Sequence, residues 1–334
     1  MSGSLLKDSI NCTQKEETME VSRLKRAVPR RSDLITTLPS PDKRELIEHV
    51  LSSPAMVGAR YNVGIRSSYS PMAALSYIKR LADKNGKKLW LDLKGRQLRI
   101  TKWADPTYGD IELNHPFEVD LPAKIVFRGN HWSNVVGYDG NKIFIDPDPK
   151  YALGAGQAVN IIGTNLRITG DYFTERDREH IKAAKILGIH NYMLSFVEGP
   201  DDIEDLLALD NDAMMYLKIE SQKGMRFVES GYTKQDGIGL IAARDDLMIN
   251  IGDNKAMILG ALETILKKDP DAVAASHIFN SLPAIGYPSM ADFSDLKMLH
   301  DMGYHHFMLS DEVSMRYFDD AVKAWTDFTE YYHG

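Results

Sequence analysis

Cysteine is almost absent from this chain: Cys12 is the only one in 334 residues. No intrachain disulfide can form, which fits a reducing, cytoplasmic setting. No apolar run approaches the ~18 residues that would span a bilayer, and the first thirty residues hold no apolar signal core. Basic excess is missing as well, with 40 Lys and Arg against 47 Asp and Glu and a formal net charge of -7. A protein that lives on nucleic-acid phosphates carries a basic domain or stripe, so this balance argues against nucleic acid as partner, as the missing apolar run does against membrane. Low-complexity tracts and repeats of constant period are lacking too. What remains is ordinary globular material, 43% hydrophobic and 26% charged, with substance for a sizeable core. Residues 1–30 are polar, with Lys15-Glu16-Glu17 followed by Arg23, Lys25, Arg26 and Arg30, and read as a disordered, solvated arm.

From Asp33 onward, short β-rich runs alternate with longer amphipathic stretches, the pattern of βα units on a parallel sheet. The strand candidates are 34–37, 57–61, 89–92, 192–195, 214–217, 237–241, 272–275 and 306–309. Helices are expected over 41–51 with Ser40 as N-cap, 70–82 behind Ser70, 174–187 behind Thr174, 255–268, 289–301 and 314–332. The alternation predicts an α/β fold, a (β/α)₈ TIM barrel over 31–100 and 164–334. Between Thr101 and Gly163 no helix is legible; Lys124-Ile125-Val126-Phe127 and Val135–Tyr138 read as strands, and Asp139-Gly140 as a hairpin turn. That segment is expected to be a small all-β domain, a lid inserted after the third barrel strand.

Active sites of such barrels lie at the C-terminal ends of the strands. Those positions hold Arg60 and Asn62, Asp92, Lys94 and Arg99, Ser195, Lys218 and Glu220, Arg244-Asp245-Asp246, Ser276-His277, and Ser310-Asp311-Glu312. Glu220 and Asp246, from adjacent strands, suit a hard divalent cation. Lys218 lies on the same side of its strand as Glu220 and would neutralise developing negative charge. Arg60 and Arg244 suit bidentate binding of carboxylate or phosphate.

These residues carry a resemblance to the pyruvate kinase family. Arg60-Tyr61-Asn62, Asp92-Leu93-Lys94-Gly95 with Leu98-Arg99, Ser195-Phe196, Lys218-Ile219-Glu220, Gly237-Ile238 with Ala243-Arg244-Asp245-Asp246-Leu247, and Met308-Leu309-Ser310-Asp311-Glu312 resemble its motifs, in order, between about Arg31 and Trp325. The resemblance implies Mg²⁺ or Mn²⁺ on Glu220 and Asp246, and Lys218 as the cation at the transferring phosphoryl or enolate oxygen. It also implies Arg60 at the phosphate, and Asn62, Asp92 and the Leu93 carbonyl around a monovalent cation such as K⁺. Arg60, Asp245, Asp246, Ser276 and His277 fall at its substrate positions.

Several positions depart from the family pattern. Gly64 and Ile65 replace a Ser and a His, Gln157 stands where a nucleotide-contacting Lys is usual, and Asp245 replaces a Gly whose backbone approaches substrate. The expected function is phosphoryl transfer between phosphoenolpyruvate and a nucleotide, or a divergent form of it, on a small phosphorylated or 2-oxo carboxylic acid. A metal-dependent 2-oxo acid lyase working through an enolate, with His277 as proton carrier, is the alternative; a catalytically weak binding module is a second. The family's C-terminal regulatory domain is not legible, so the expectation is a monomer or homodimer.

Overall fold

The computed structural model describes residues 32–333 except 106–107, 128–130 and 164. The arm expected over 1–30, with Cys12, lies outside them. The barrel strands are β1 (Asp33–Thr37), β2 (Gly58–Asn62) and β3 (Lys88–Leu93), then β11 (Asn191–Leu194), β12 (Met214–Ile219), β13 (Ile238–Ala243), β14 (Val273–Ala275) and β15 (His306–Met308). They close in the order β1-β15-β14-β13-β12-β11-β3-β2, with β1 parallel to both β15 and β2. The fold is an α/β TIM barrel.

Alternation along each strand sorts the side chains into two cores. Leu34, Ala59, Leu91, Leu194, Leu217, Leu240, Ala274 and Phe307 face outward onto the helices. Ile35, Trp90, Met193, Ile241, Val273 and Met308 fill the barrel interior, where Trp90 packs on Tyr216 at 4.5 Å between ring centres. Two residues further along, the same inward rows turn polar: Trp90 gives way to Asp92, Met193 to Ser195, and Tyr216 to Lys218 and then Glu220. One face of each strand therefore closes the barrel at one end and builds the site at the other.

The helices are α1 (Arg44–Ser52), α2 (Pro71–Lys84), α3 (Glu175–Ile186), α4 (Pro200–Leu209), α5 (Gln222–Ser230), α6 (Arg244–Asn250), α7 (Met257–Lys268), α8 (Leu282–Ile285), α9 (Met290–Met302), α10 (Asp311–Arg316) and α11 (Phe318–His333). Ser70 caps α2 by accepting the Ala73 N–H, and Thr174 forms a capping box with Asp177 on α3. Ser40 does not cap α1, which starts at Arg44; its hydroxyl is taken up by Asp42 and the Arg66 carbonyl. The helix expected over 314–332 is two, because Tyr317 leaves helical geometry between α10 and α11. Arg244-Asp245-Asp246, expected at the end of the sixth strand, forms the opening turn of α6. No helix among the described residues is long and apolar enough to cross a membrane.

The all-β segment between β3 and α3 has its own core, from Leu98, Ile100, Leu113, Ile125, Val135 and Ile161 among others. Its strands are β4 (Ile111–Glu112), β5 (Phe117–Glu118), β6 (Ala123–Phe127), β7 (His131–Asp139), β8 (Lys142–Asp146), β9 (Asn160–Ile162) and β10 (Arg167–Ile168). Five form a sheet in the order β4-β8-β7-β6-β9, and β10 pairs with β5. Gly140 makes the β7–β8 turn at φ 60°, a left-handed conformation open to glycine. The core reaches past 101–163 on both sides, through Leu98 and Ile100 and through β10. Ile100 bridges to Leu113, and Arg99 to Ala158, so the chain is already in the insert at these residues.

Candidate active site

A cavity of about 280 Å³ opens at the C-terminal ends of the barrel strands, lined by Arg60, Asn62, Lys94, Arg99, Lys218, Glu220, Asp245, Asp246, Ser276 and Asp311. Its centre of charge is Asp92, which is fully buried. Asp92 Oδ2 accepts from Arg60 Nε at 3.0 Å and Nη2 at 2.5 Å, and from Lys94 Nζ at 2.9 Å; Oδ1 accepts from Lys218 Nζ at 3.2 Å. Burial alone would raise this carboxyl, but Arg60, Lys218 and Lys94 hold it well below the usual carboxylate range. Lys94 is pushed down to about 8 by burial, against the pull of Asp92.

Lys218 Nζ also donates to Ser195 Oγ at 2.8 Å and lies 3.0 Å from Glu220 Oε1. Burial would lower this ammonium, yet Asp92 and Glu220 raise it, so it stays charged. Glu220 Oε2 accepts the Phe196 N–H at 2.6 Å, presented by a residue in the left-handed region at φ 53°. Burial pushes the Glu220 carboxyl up to about 7; Lys218 opposes this and Asp246 adds to it. Glu220 is thus a buried carboxylate only partly offset by Lys218, with a second carboxylate, Asp246, lining the same cavity. That donor set fits a hard divalent cation, with room for water and substrate oxygens.

The model of the family described as "Pyruvate kinase, barrel domain" matches residues 133–321, more than half of the chain. The chain belongs to the pyruvate kinase family. It is 24% identical over 324 residues to the pyruvate kinase of Lactobacillus delbrueckii subsp. bulgaricus, covering 85% of this chain and 53% of that protein. The pyruvate kinase of Thermoplasma acidophilum is 25% identical, covering 73% of this chain and 48% of that protein. Pyruvate kinase II of Salmonella typhimurium is 23% identical over 88% of this chain and 68% of its own length. The chain spans about half the length of the first two.

Of the candidate residues, Arg60, Lys94, Lys218, Glu220, Asp245, Asp246 and Ser276 line one cavity. Three expectations need correction. Arg244 does not reach it: its Nη1 donates to Asp295 on α9 at 2.7 and 2.9 Å, its Nε to the Ala275 carbonyl at 3.3 Å and its Nη2 to the Ser276 carbonyl. Because α6 begins at this residue, its side chain is carried outward, where it ties β14 to α9. His277 likewise lines a neighbouring cavity, facing Arg244, Met298 and Asp295. It approaches the site only through Asp245, its Nε2 lying 2.7 Å from Asp245 Oδ1. Ser276, also bonded to Asp245, and His277 are both left-handed, at φ 66° and 58°.

The monovalent-cation set does not form. Asn62 Oδ1 accepts the Gly64 N–H at 2.9 Å, and Asn62 Nδ2 donates to Asp311 Oδ2 at 3.1 Å. The Leu93 carbonyl accepts the Ser195 hydroxyl at 2.8 Å, and three protein cations already surround Asp92. The Lys94 ammonium supplies the charge a bound K⁺ would bring, so these residues do not fit that ion.

Other members of the site were given no role by the sequence reading. Asp311, in place of a family glycine, pairs with Arg60 Nη1, which also donates to Thr37 Oγ1 at 2.8 Å. Its position in the Met-Leu-Ser-Asp-Glu run was visible; its partner was not. Asn160 of β9 donates to Asp246 Oδ1 at 3.0 Å, and Asn250 at the end of α6 donates to Asn160 Oδ1 at 2.9 Å. Asn250 lies one turn beyond Asp246, a signal readable only once α6 is known to be a helix.

Proposed function

We propose that the barrel mouth transfers a phosphoryl group between phosphoenolpyruvate and a nucleoside diphosphate, using Mg²⁺ or Mn²⁺ held by Glu220 and Asp246. The observation that carries this reading is Lys218: a buried ammonium kept charged between Asp92 and Glu220, facing the cavity that both metal-type carboxylates line. When bound, the divalent cation supplies Lewis-acid polarisation of substrate oxygens.

The chain's own residues supply the rest. Lys218 is fixed by three oxygens and presents its charge where a phosphoryl or enolate oxygen gains negative charge, so little reorganisation is needed. Arg60 is clamped through Nε and Nη2 on Asp92. A phosphoryl group takes up Arg60 by displacing Asp311, its partly exposed partner, from Nη1. Asp245 turns toward Ser276 and His277, which spares an anionic substrate an uncompensated carboxylate.

A second cavity of about 570 Å³ lies between the insert and the barrel, lined by Arg66, Arg99, Phe127, Gln157, Asn160 and Asp246 among others. We assign the nucleotide to it, with Arg66 and Arg99 as phosphate cations in place of the lysine that Gln157 replaces. Closure of the insert over the mouth excludes water from the transfer.

The test is pyruvate formation from phosphoenolpyruvate and ADP with Mg²⁺ or Mn²⁺, read by coupled NADH oxidation. Activity that is lost in Lys218→Met supports the reading. A wild-type rate no higher than that of Lys218→Met, with either metal, overturns it.

A further inference from the structure

We propose that Asn250 sets the spacing of the two metal-type carboxylates, and that Asn160 makes this spacing depend on where the insert sits. The Asn250 side-chain amide donates to the Glu220 carbonyl at 3.1 Å, the Asp246 carbonyl at 2.9 Å and Asn160 Oδ1 at 2.9 Å. Its two N–H groups are thus shared among three oxygens, two of which belong to the main chain of the residues that carry the carboxylates. Glu220 follows β12 and Asp246 lies in α6, so they belong to neighbouring βα units with no covalent reason to keep a fixed separation. Asn250 bridges them. Asn160 completes the chain from the insert side, with Nδ2 on Asp246 Oδ1 at 3.0 Å and Oδ1 held by Asn250.

The chemistry of the bridge matters. A small divalent cation tolerates little error in ligand placement, and partners that orient a ligating carboxylate from behind tune affinity. Both asparagines are neutral, so they orient Asp246 without competing for the cation or repelling it. They touch one carboxylate oxygen, two carbonyls and each other, and although Asn160 also lines the cavity assigned to the nucleotide, toward Asp246 both are positioning residues. Swinging the insert away would break the bond to Asp246 and release its carboxylate to rotate. By linkage, a cation held by Asp246 in that orientation favours the insert in place.

The proposal rests on Glu220 and Asp246 being the metal ligands, so Glu220→Gln is measured alongside. Mn²⁺ affinity is titrated by electron paramagnetic resonance on the full chain. In parallel, insert–barrel distances are read by double electron–electron resonance between labels on Asp120→Cys and Lys323→Cys in a Cys12→Ser background. We expect Asn160→Ala and Asn250→Leu each to weaken Mn²⁺ roughly tenfold or more, the usual size for losing an outer partner of a ligand. The double variant should be no weaker than the weaker single one, because both act through one network. Asn160→Ala should broaden the insert–barrel distances, and Mn²⁺ should narrow them in wild type but not in this variant. Asn160 is half-buried on the insert, so its variant tests the idea even where Asn250→Leu fails to fold. If Glu220→Gln abolishes Mn²⁺ binding while Asn160→Ala leaves affinity and distances unchanged, the coupling is wrong and the metal reading stands. If Glu220→Gln binds Mn²⁺ as wild type does, the metal reading fails and the coupling with it.

Discussion

Asp245 Oδ1 and His277 Nε2 lie 2.7 Å apart on the rim of the cavity, joining the first turn of α6 to the loop after β14. Burial would raise the Asp245 carboxyl, but His277 and Ser276 hold it below its ordinary value. The extra carboxylate is therefore answered by Ser276 at the cavity wall and by His277 from the neighbouring cavity, and His277 reaches the first cavity through Asp245.

Removing that answer should weaken the binding of an anionic substrate. His277→Ala is expected to raise KM for phosphoenolpyruvate by about tenfold, some 1.4 kcal/mol, with kcat little changed. Asp245→Gly removes the charge itself and should lower KM. Steady-state kinetics of the two variants check this; a loss of kcat alone in His277→Ala would instead make His277 part of the chemical step.

In the proposed function, Asp311 is paired with Arg60 and must give way to a phosphate. Asp311→Ala should lower KM for phosphorylated substrate several-fold, about 1 kcal/mol for one freed charge-assisted bond. Arg60→Lys in the same background should reverse the gain, because an ammonium cannot make the paired contact. Phosphoenolpyruvate titrations of the three proteins decide it.

Glu220 makes the metal-free protein sensitive to pH. Its folded carboxyl at about 7 stands above its ordinary 4.5, so between those values the folded chain binds the extra proton. Its contribution to stability is therefore fully present at low pH and lost as pH rises through 7. In urea unfolding, wild type should lose up to about 3 kcal/mol relative to Glu220→Gln between about pH 4 and pH 8. Mn²⁺ should restore the wild type at the upper end. A difference that stays flat with pH would contradict this account of Glu220.

Arg244 is bonded to Asp295 and to the carbonyls of Ala275 and Ser276, away from the cavity. Arg244→Met leaves Asp295 and the carbonyls of Ala275 and Ser276 without their donor. It should cost about 3 kcal/mol in urea unfolding, the range for breaking a buried pair. KM for phosphoenolpyruvate should remain within about twofold of wild type, since no substrate contact is removed.

The barrel was legible because its signals are local. Each of the eight strands announces itself by a short β-rich run, and inward rows such as Trp90-x-Asp92-x-Lys94 and Tyr216-x-Lys218-x-Glu220 follow from the two-residue period alone. Helix starts with a true N-cap, Ser70 and Thr174, were legible too. Helices α4, α5, α6 and α8 were not, because their stability rests on packing against the barrel more than on local signals.

The sequence by itself determined which chemistry is present: an acidic chain without usable cysteine pairs, eight βα units, and Lys218, Glu220 and Asp246 at strand ends, one alternation apart or one unit apart. Only the tertiary structure decided how these charges are shared. Arg244 and Asp246 are two residues apart, yet α6 sends one outward to Asp295 and the other into the cavity. Arg60 and Asp311 stand 251 residues apart and become a pair because β1, between β2 and β15, closes the barrel. The physical reason is range: backbone periodicity acts over a few residues and can be read along the chain, whereas the partner of a charge is set by which strand ends meet when the sheet closes.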